Sequence, residues 1–194
     1  MGVPPTQITV EKDTEIKYRP LSAVDMNSPI IFMLTTSTDE YLKLDTLQLF
    51  WQFQIHLEKD DKTKAITRDD WKNVEICNYT QHAMIKQIDI DINGKQIFNL
   101  PQNYPYRAYI EALLGYTDDA KKSHLSSSLW MTDDERKLII APIGLDISKS
   151  RKIDMFGKIH TDLSYQGRAL IGGTQLKLQI ALNEPKFYLK IASG

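Results

Sequence analysis

Between Leu47 and Leu57 every odd position is apolar: Leu47, Leu49, Trp51, Phe53, Ile55 and Leu57. Gln48, Gln52, Gln54 and His56 fill the even positions, and Phe50 is the one exception. Side chains on a strand alternate between two faces, so such a run folds as a strand with one face in a core and one in water. The period recurs at Met84, Ile88, Ile90 and Ile92 against Gln87, Asp89 and Asp91. It returns at Leu176, Leu178, Ile180 and Leu182, and again at Phe187, Leu189 and Ile191 set against Lys186, Tyr188 and Lys190. Ile30 to Thr35 and Ile153 to Leu163 alternate more weakly. One wet face per strand predicts antiparallel sheets. The expectation is two facing sheets with Leu49, Trp51, Phe53, Ile55, Ile90, Ile92, Leu178 and Ile180 in one core.

Turn chemistry agrees with the strands. Asn93-Gly94 sits between two of these runs, and a tight hairpin turn needs positive φ at both central residues. Gly172-Gly173 precedes the Leu176 strand, and Asn183-Glu184-Pro185 separates the last two. One clear helix interrupts the pattern. It starts at Pro105, and Tyr106, Tyr109, Ile110, Leu113 and Leu114 form a single apolar stripe expected to pack on the sheets. Gly115 is the expected left-handed cap. Thr132-Asp133-Asp134-Glu135 has the form of a capping box and predicts a second short helix. Many strands, sparse helix and two long excursions predict an all-β antiparallel sandwich with one or two short helices in long loops.

Composition narrows the function classes. A formal charge of −1 argues against a domain that lives by neutralising phosphates, so no specific nucleic-acid binding is expected. The single cysteine, Cys77, excludes an internal disulfide framework and a multi-cysteine zinc site. No apolar stretch approaches the roughly 20 residues of a spanning helix, and Met1 to Pro5 lacks the charged start of a signal peptide. The chain is expected to be soluble inside the cell that makes it.

Searching for chemistry mostly turns up strands and loops. Asp89-Ile90-Asp91-Ile92-Asn93-Gly94 matches the first half of a calcium loop, but Leu100 occupies the position of the closing glutamate. His160 and Asp162 stand at i and i+2, as in jelly-roll iron enzymes, yet no histidine follows to complete the set, and a solvated strand face is expected. Cys77 with His82, and Ser126-Ser127-Ser128 beside His124, form no nucleophile motif. Lys121-Lys122 and Arg151-Lys152 are isolated basic pairs, and Tyr104, Tyr106 and Tyr109 are expected to pack rather than stack on a ligand. No catalytic, cofactor-binding or metal residue is assigned, and no cofactor is expected.

Several blocks together resemble a known family. Val3-Pro4-Pro5-Thr6-Gln7, Tyr18-Arg19-Pro20-Leu21 and Ser28-Pro29-Ile30-Ile31-Phe32 look like the start of the major capsid protein (hexon) of Polinton/Maverick elements and adintoviruses. Asp89 to Lys95, followed by Asn103-Tyr104-Pro105-Tyr106-Arg107-Ala108-Tyr109-Ile110-Glu111, is similar to that family's most recognisable block. Asp119 to Ser123, Ile153 to Lys158 with His160, and Gly172 to Leu178 continue it in order.

The resemblance implies a double jelly-roll capsid protein, built from two eight-stranded sandwiches, three chains per capsomer and many capsomers per icosahedral shell. It implies no catalytic residue. Residues 1–28 would then be an N-terminal arm and residues 29–194 a single jelly-roll domain, the first half of such a protein. Expected partners are other capsid copies, in a homotrimer of the full-length protein, with penton or minor capsid proteins, and the expected location is the virion. A lone first roll is expected to be monomeric, because its neighbours' second rolls complete the trimer contacts. The alternatives are a single jelly-roll minor capsid or penton-type subunit, a domesticated capsid-derived binding domain for which exposed Phe50 is the hint, and a metal-dependent jelly-roll oxygenase.

Overall fold

The computed structural model describes residues 12–59, 65–100, 103–142 and 146–191. Residues 1–11 of the expected arm lie outside them, and residues 12–29 carry neither strand nor helix. Even so, the Tyr18 hydroxyl donates to the Thr35 carbonyl at 3.1 Å, and the Leu21 N–H to that of Ile31 at 2.8 Å, which ties this segment along the first strand.

The described residues form eight strands and few helices, and every strand pairing is antiparallel. In chain order these are β1 (Ile30–Thr35), β2 (Gln48–Phe53), β3 (Val74–Ile76), α1 (Thr80–Ala83), β4 (Ile85–Ile92), β5 (Lys95–Leu100), α2 (Tyr104–Gly115), α3 (Asp118–Lys122) and α4 (Asp133–Ile140). They continue with β6 (Ile153–Lys158), β7 (Gln175–Leu182), α5 (Pro185–Tyr188) and β8 (Leu189–Ile191). A four-stranded sheet runs β1-β7-β4-β5, and β2-β6 and β3-β8 make two-stranded ribbons.

The hairpin between β4 and β5 turns where Asn93 and Gly94 adopt φ of 50° and 77°, as the dipeptide predicts. Across β1 and β7, Ile30 faces Ile180, Phe32 faces Leu178 and Leu34 faces Leu176, so one face of the sheet is continuous hydrocarbon. A bulge between Ile85 and Gln87 resets the alternation of β4, so Ile85 and Ile88 are both buried although they are three apart.

The core is divided. One cluster holds Leu49, Ile90, Leu178 and Ile180 with Ile92 at its border, whereas Ile55 belongs to a second cluster that Phe53 borders. Trp51, half-buried, packs against both. The expected single core therefore splits. The buried polar residues Thr80, Gln81 and His82 lie along the chain between Tyr79 of the first cluster and Ala83 and Met84 of the second.

Three local expectations are corrected. The strand expected over Leu47–Leu57 is regular only from Gln48 to Phe53, with an isolated bridge from His56 to Lys149 beyond it. The alternation at Lys186–Tyr188 is not a strand. Pro185 opens a helical turn, which exposes Phe187 and buries Tyr188. There are also more helical segments than the one or two expected, because α1, α3 and α5 are single turns of four or five residues.

The largest correction concerns α2. Its expected apolar stripe faces water, with Tyr106, Tyr109, Ile110, Leu113 and Leu114 all exposed, while Tyr104, Ala108 and Ala112 turn inward. Ala108 and Ala112, small residues four apart, let the helix sit close to the sheet. Gly115 is the last helical residue rather than a left-handed cap, and extended Tyr116 follows it. The Thr132 capping box is formed as predicted, with the Glu135 carboxylate accepting from the Thr132 backbone N–H at 2.9 Å.

Candidate functional site

Two histidines and three tyrosines meet between α1, α2 and the segment leaving β6. Tyr79 enters α1 in the left-handed region at φ 60°, held there as its N–H donates to the Leu129 carbonyl at 2.9 Å. Tyr104 opens α2, and Arg107 and Glu111 lie one turn apart on the same helix. His160 follows Ile159 just beyond β6, and Tyr165 closes the 3₁₀ turn Asp162–Tyr165.

Charge settles the protonation states. Burial pushes the Glu111 carboxyl up, but hydrogen bonds from Arg107 and His160 outweigh it and hold the group below its ordinary value, so it is a carboxylate. It accepts from Arg107 Nε at 2.7 Å and from His160 Nδ1 at 2.8 Å. His160 Nε2 is then an acceptor, and the Tyr79 hydroxyl donates to it at 2.8 Å. Burial lowers the His160 value despite the Glu111 carboxylate, and raises that of Tyr79, so the imidazole is neutral and the phenol keeps its proton.

A second relay runs beside the first. The His160 backbone N–H donates to the Tyr104 hydroxyl at 3.2 Å, and the same hydroxyl shares a hydrogen bond of 2.9 Å with His82 Nδ1. The other ring nitrogen of His82, Nε2, is buried and has no hydrogen-bond partner. Complete burial holds His82 well below the ordinary histidine range, and neighbouring His160 adds to this. The His82 ring lies 4.3 Å from Tyr79 and 4.8 Å from His160, centre to centre.

A carboxylate–histidine pair can orient a general base, but here the free ring nitrogen ends on buried Tyr79. The arrangement joins three elements internally and reaches solvent at Glu111, Tyr165 and the Arg107–Asp162 ion pair. Thus His160 is 1% exposed, not on a solvated strand face, and Asp162 points to Arg107, which holds its carboxyl below the ordinary value. The two do not share a ligand face, because the chain turns after Lys158.

The remaining motifs scatter. Asp89 and Asp91 lie on β4, facing Gln87 at 2.9 Å and Lys177 at 3.8 Å, and no loop closes around them. Cys77 is partly buried, which pushes its thiol up to about 11, and His82 is engaged by Tyr104 instead. Ser127 and Ser128 donate to the Phe156 carbonyl, and His124 is exposed. Lys121 Nζ donates to the Leu113 carbonyl near the end of α2, and Arg151 to that of Leu138. Tyr109 stacks on Trp130 at 5.1 Å. Phe50 is exposed as the sequence suggested, and Phe156 stands directly opposite it on β6, also exposed.

Among the described residues no group of three or more histidine, cysteine or acidic side chains could hold a metal ion, and no helix is long and apolar enough to cross a membrane. Sequence reasoning missed Tyr79, His82, Tyr104 and Glu111 as a group. The available signal was Arg107 and Glu111 at i and i+4, between the apolar stripe and the Ala108–Ala112 face. No known family's sequence profile matches the chain, and no curated protein matches it.

Proposed function

We propose that the chain is a non-enzymatic building unit of a viral capsid, the first jelly roll of a double jelly-roll major capsid protein. The observation that carries this reading is the nesting of the strand pairs. β1 pairs with β7, β2 with β6, and β4 with β5, so each pair encloses the next along the chain. A hairpin wound on itself into a jelly roll nests its pairs in this way. The β3-β8 ribbon crosses the nest, since β3 lies between β2 and β4 and β8 follows β7. The resemblance in sequence supplies the capsid assignment, with virion copies as partners and the shell as the location.

Reading the coding frame past Gly194 and imaging the product by electron microscopy tests the proposal. A second eight-stranded unit and regular shells or capsomers are expected. A frame without such a unit, or purified protein holding one equivalent of metal that His160→Ala removes, overturns it. One observation favours a second reading, a capsid-derived binding domain: Phe50 and Phe156 form an exposed aromatic pair flanked by the Gln52–Asp154 hydrogen bond of 2.7 Å. The oxygenase alternative loses ground, since both ring nitrogens of His160 already serve Glu111 and Tyr79.

A further inference from the structure

The outward face of α2 carries no charged side chain. Its exposed residues are Tyr106, Tyr109, Ile110, Leu113, Leu114 and Gly115, while both of its charged residues, Arg107 and Glu111, are drawn into the Asp162 and His160 contacts. Phe187 of α5 extends the stripe, its ring 6.0 Å from that of Tyr106. Leu114 is 79% exposed and Tyr106 58%. With on the order of 200 Å² per large side chain, these exposures leave roughly 600 Å² of apolar surface, the upper end of what a soluble monomer shows.

We propose that this face pairs with the same face of a second copy of the chain about a two-fold axis. Two such faces bury roughly 1,200 Å² together, the lower bound for a stable interface. With the two-fold axis perpendicular to α2 the paired helices run antiparallel, and Ile110 is the midpoint of the stripe from Tyr106 to Leu114. Ile110 then meets its own copy near the axis, and Tyr106 with Phe187 meets the other copy's Leu113 and Leu114. The charged groups lie at the border of this contact and are already paired, Arg107 with Glu111 and Asp162, and Lys121 with the Leu113 carbonyl, so none sits unpaired at its centre. A self-complementary, uncharged face of this length is what an identical partner supplies. The inference is independent of the capsid reading and departs from the expected lone monomer.

Light scattering after size exclusion tests it on the 194-residue chain from about 1 to about 200 µM. The mass should rise from 22.3 kDa toward twice that value, and Leu114→Glu should keep it at 22.3 kDa with an unchanged melting temperature. Oxidised Ile110→Cys should run as a covalent dimer, since the two thiols meet at the axis. A wild-type mass that stays monomeric throughout, a trimer, an oligomer indifferent to Leu114→Glu, or an Ile110→Cys variant that does not cross-link each overturns the pairing.

Discussion

α1 and α2 reverse the usual distribution of polarity. In α1, Thr80, Gln81 and His82 are fully buried, whereas α2 presents tyrosine, isoleucine and leucine to water. Hydropathy alone would place the two helices the other way round. Partners make the difference. Gln81 Nε2 donates to the Leu49 carbonyl at 2.8 Å, Thr80 Oγ1 to that of Cys77 at 2.7 Å, and His82 Nδ1 shares a hydrogen bond with Tyr104, so each side chain of α1's polar run exchanges water for at least one protein partner, although Gln81 Oε1 and His82 Nε2 have none. In α2, Glu111 pairs with buried His160 and Arg107 with Glu111 and the exposed Asp162, while the leucines have no partner, and the helix turns to satisfy its charges. A satisfied polar network decides which way these helices face, and the apolar stripe is left over for another surface.

Four measurements can break or sharpen that contrast. The largest effect sets the scale. Trp51→Ala removes the side chain that touches both clusters and should cost about 3 kcal/mol, while Gln52→Ala on the wet face of β2 should cost under about 1 kcal/mol. Equal shifts in denaturant midpoints would refute the facing of β2.

His82→Ala should cost about 2–3 kcal/mol, since it opens a cavity and strands the Tyr104 hydroxyl. A loss below that of a typical surface substitution would mean that the polar network does not hold α1 in place.

The pH dependence comes next. Burial lowers both His82 and His160, so the folded state binds fewer protons than the unfolded one, whose histidines titrate near 6.5. Their contribution is complete above pH 6.5 and is lost as the pH falls below it, and the Glu111 carboxylate adds a further loss only below its ordinary value of 4.5. Melting temperature should therefore decline from pH 6.5 toward 5, and His82→Gln should flatten the decline. A flat profile in the wild type would show that the histidines are not buried as neutral groups.

The smallest effect is the most diagnostic for α2. Leu114→Ala should change the stability of the monomer by less than about 0.5 kcal/mol. A loss of several times that, measured in dilute solution, would place the leucine in a core and undo the comparison.

What the sequence made legible was local. Asn93-Gly94 predicts its turn because few other dipeptides accept positive φ twice, and Thr132 with Glu135 predicts its cap because both partners lie within one turn. The facing of β2 and β7 follows from alternation that no bulge interrupts. Periodicity in α2 correctly divides the helix into two faces, but it cannot say which face meets the sheet. That depends on His160 and Asp162, about fifty residues further on. For the same reason the cluster around His82 stayed hidden: its members come from α1, α2 and the end of β6, and no spacing along the chain links them. Pro185 shows a smaller failure of the same kind, where two periods compete over four residues and the proline decides.

The nested pairing of the strands has a kinetic consequence. Ile30 pairs with Ile180, and Phe50 with Phe156, so the outer strands of each pair wait for most of the chain before they can close. Among the described strand pairs only the β4-β5 hairpin can form from neighbours. Loop closure over such distances carries a large entropy cost before any contact rewards it, which places this chain among slow folders. During that interval β1 and β2 present open backbone edges and their apolar faces to other chains, so crowding and temperature during synthesis, more than the stability of the finished fold, will govern how much protein escapes aggregation.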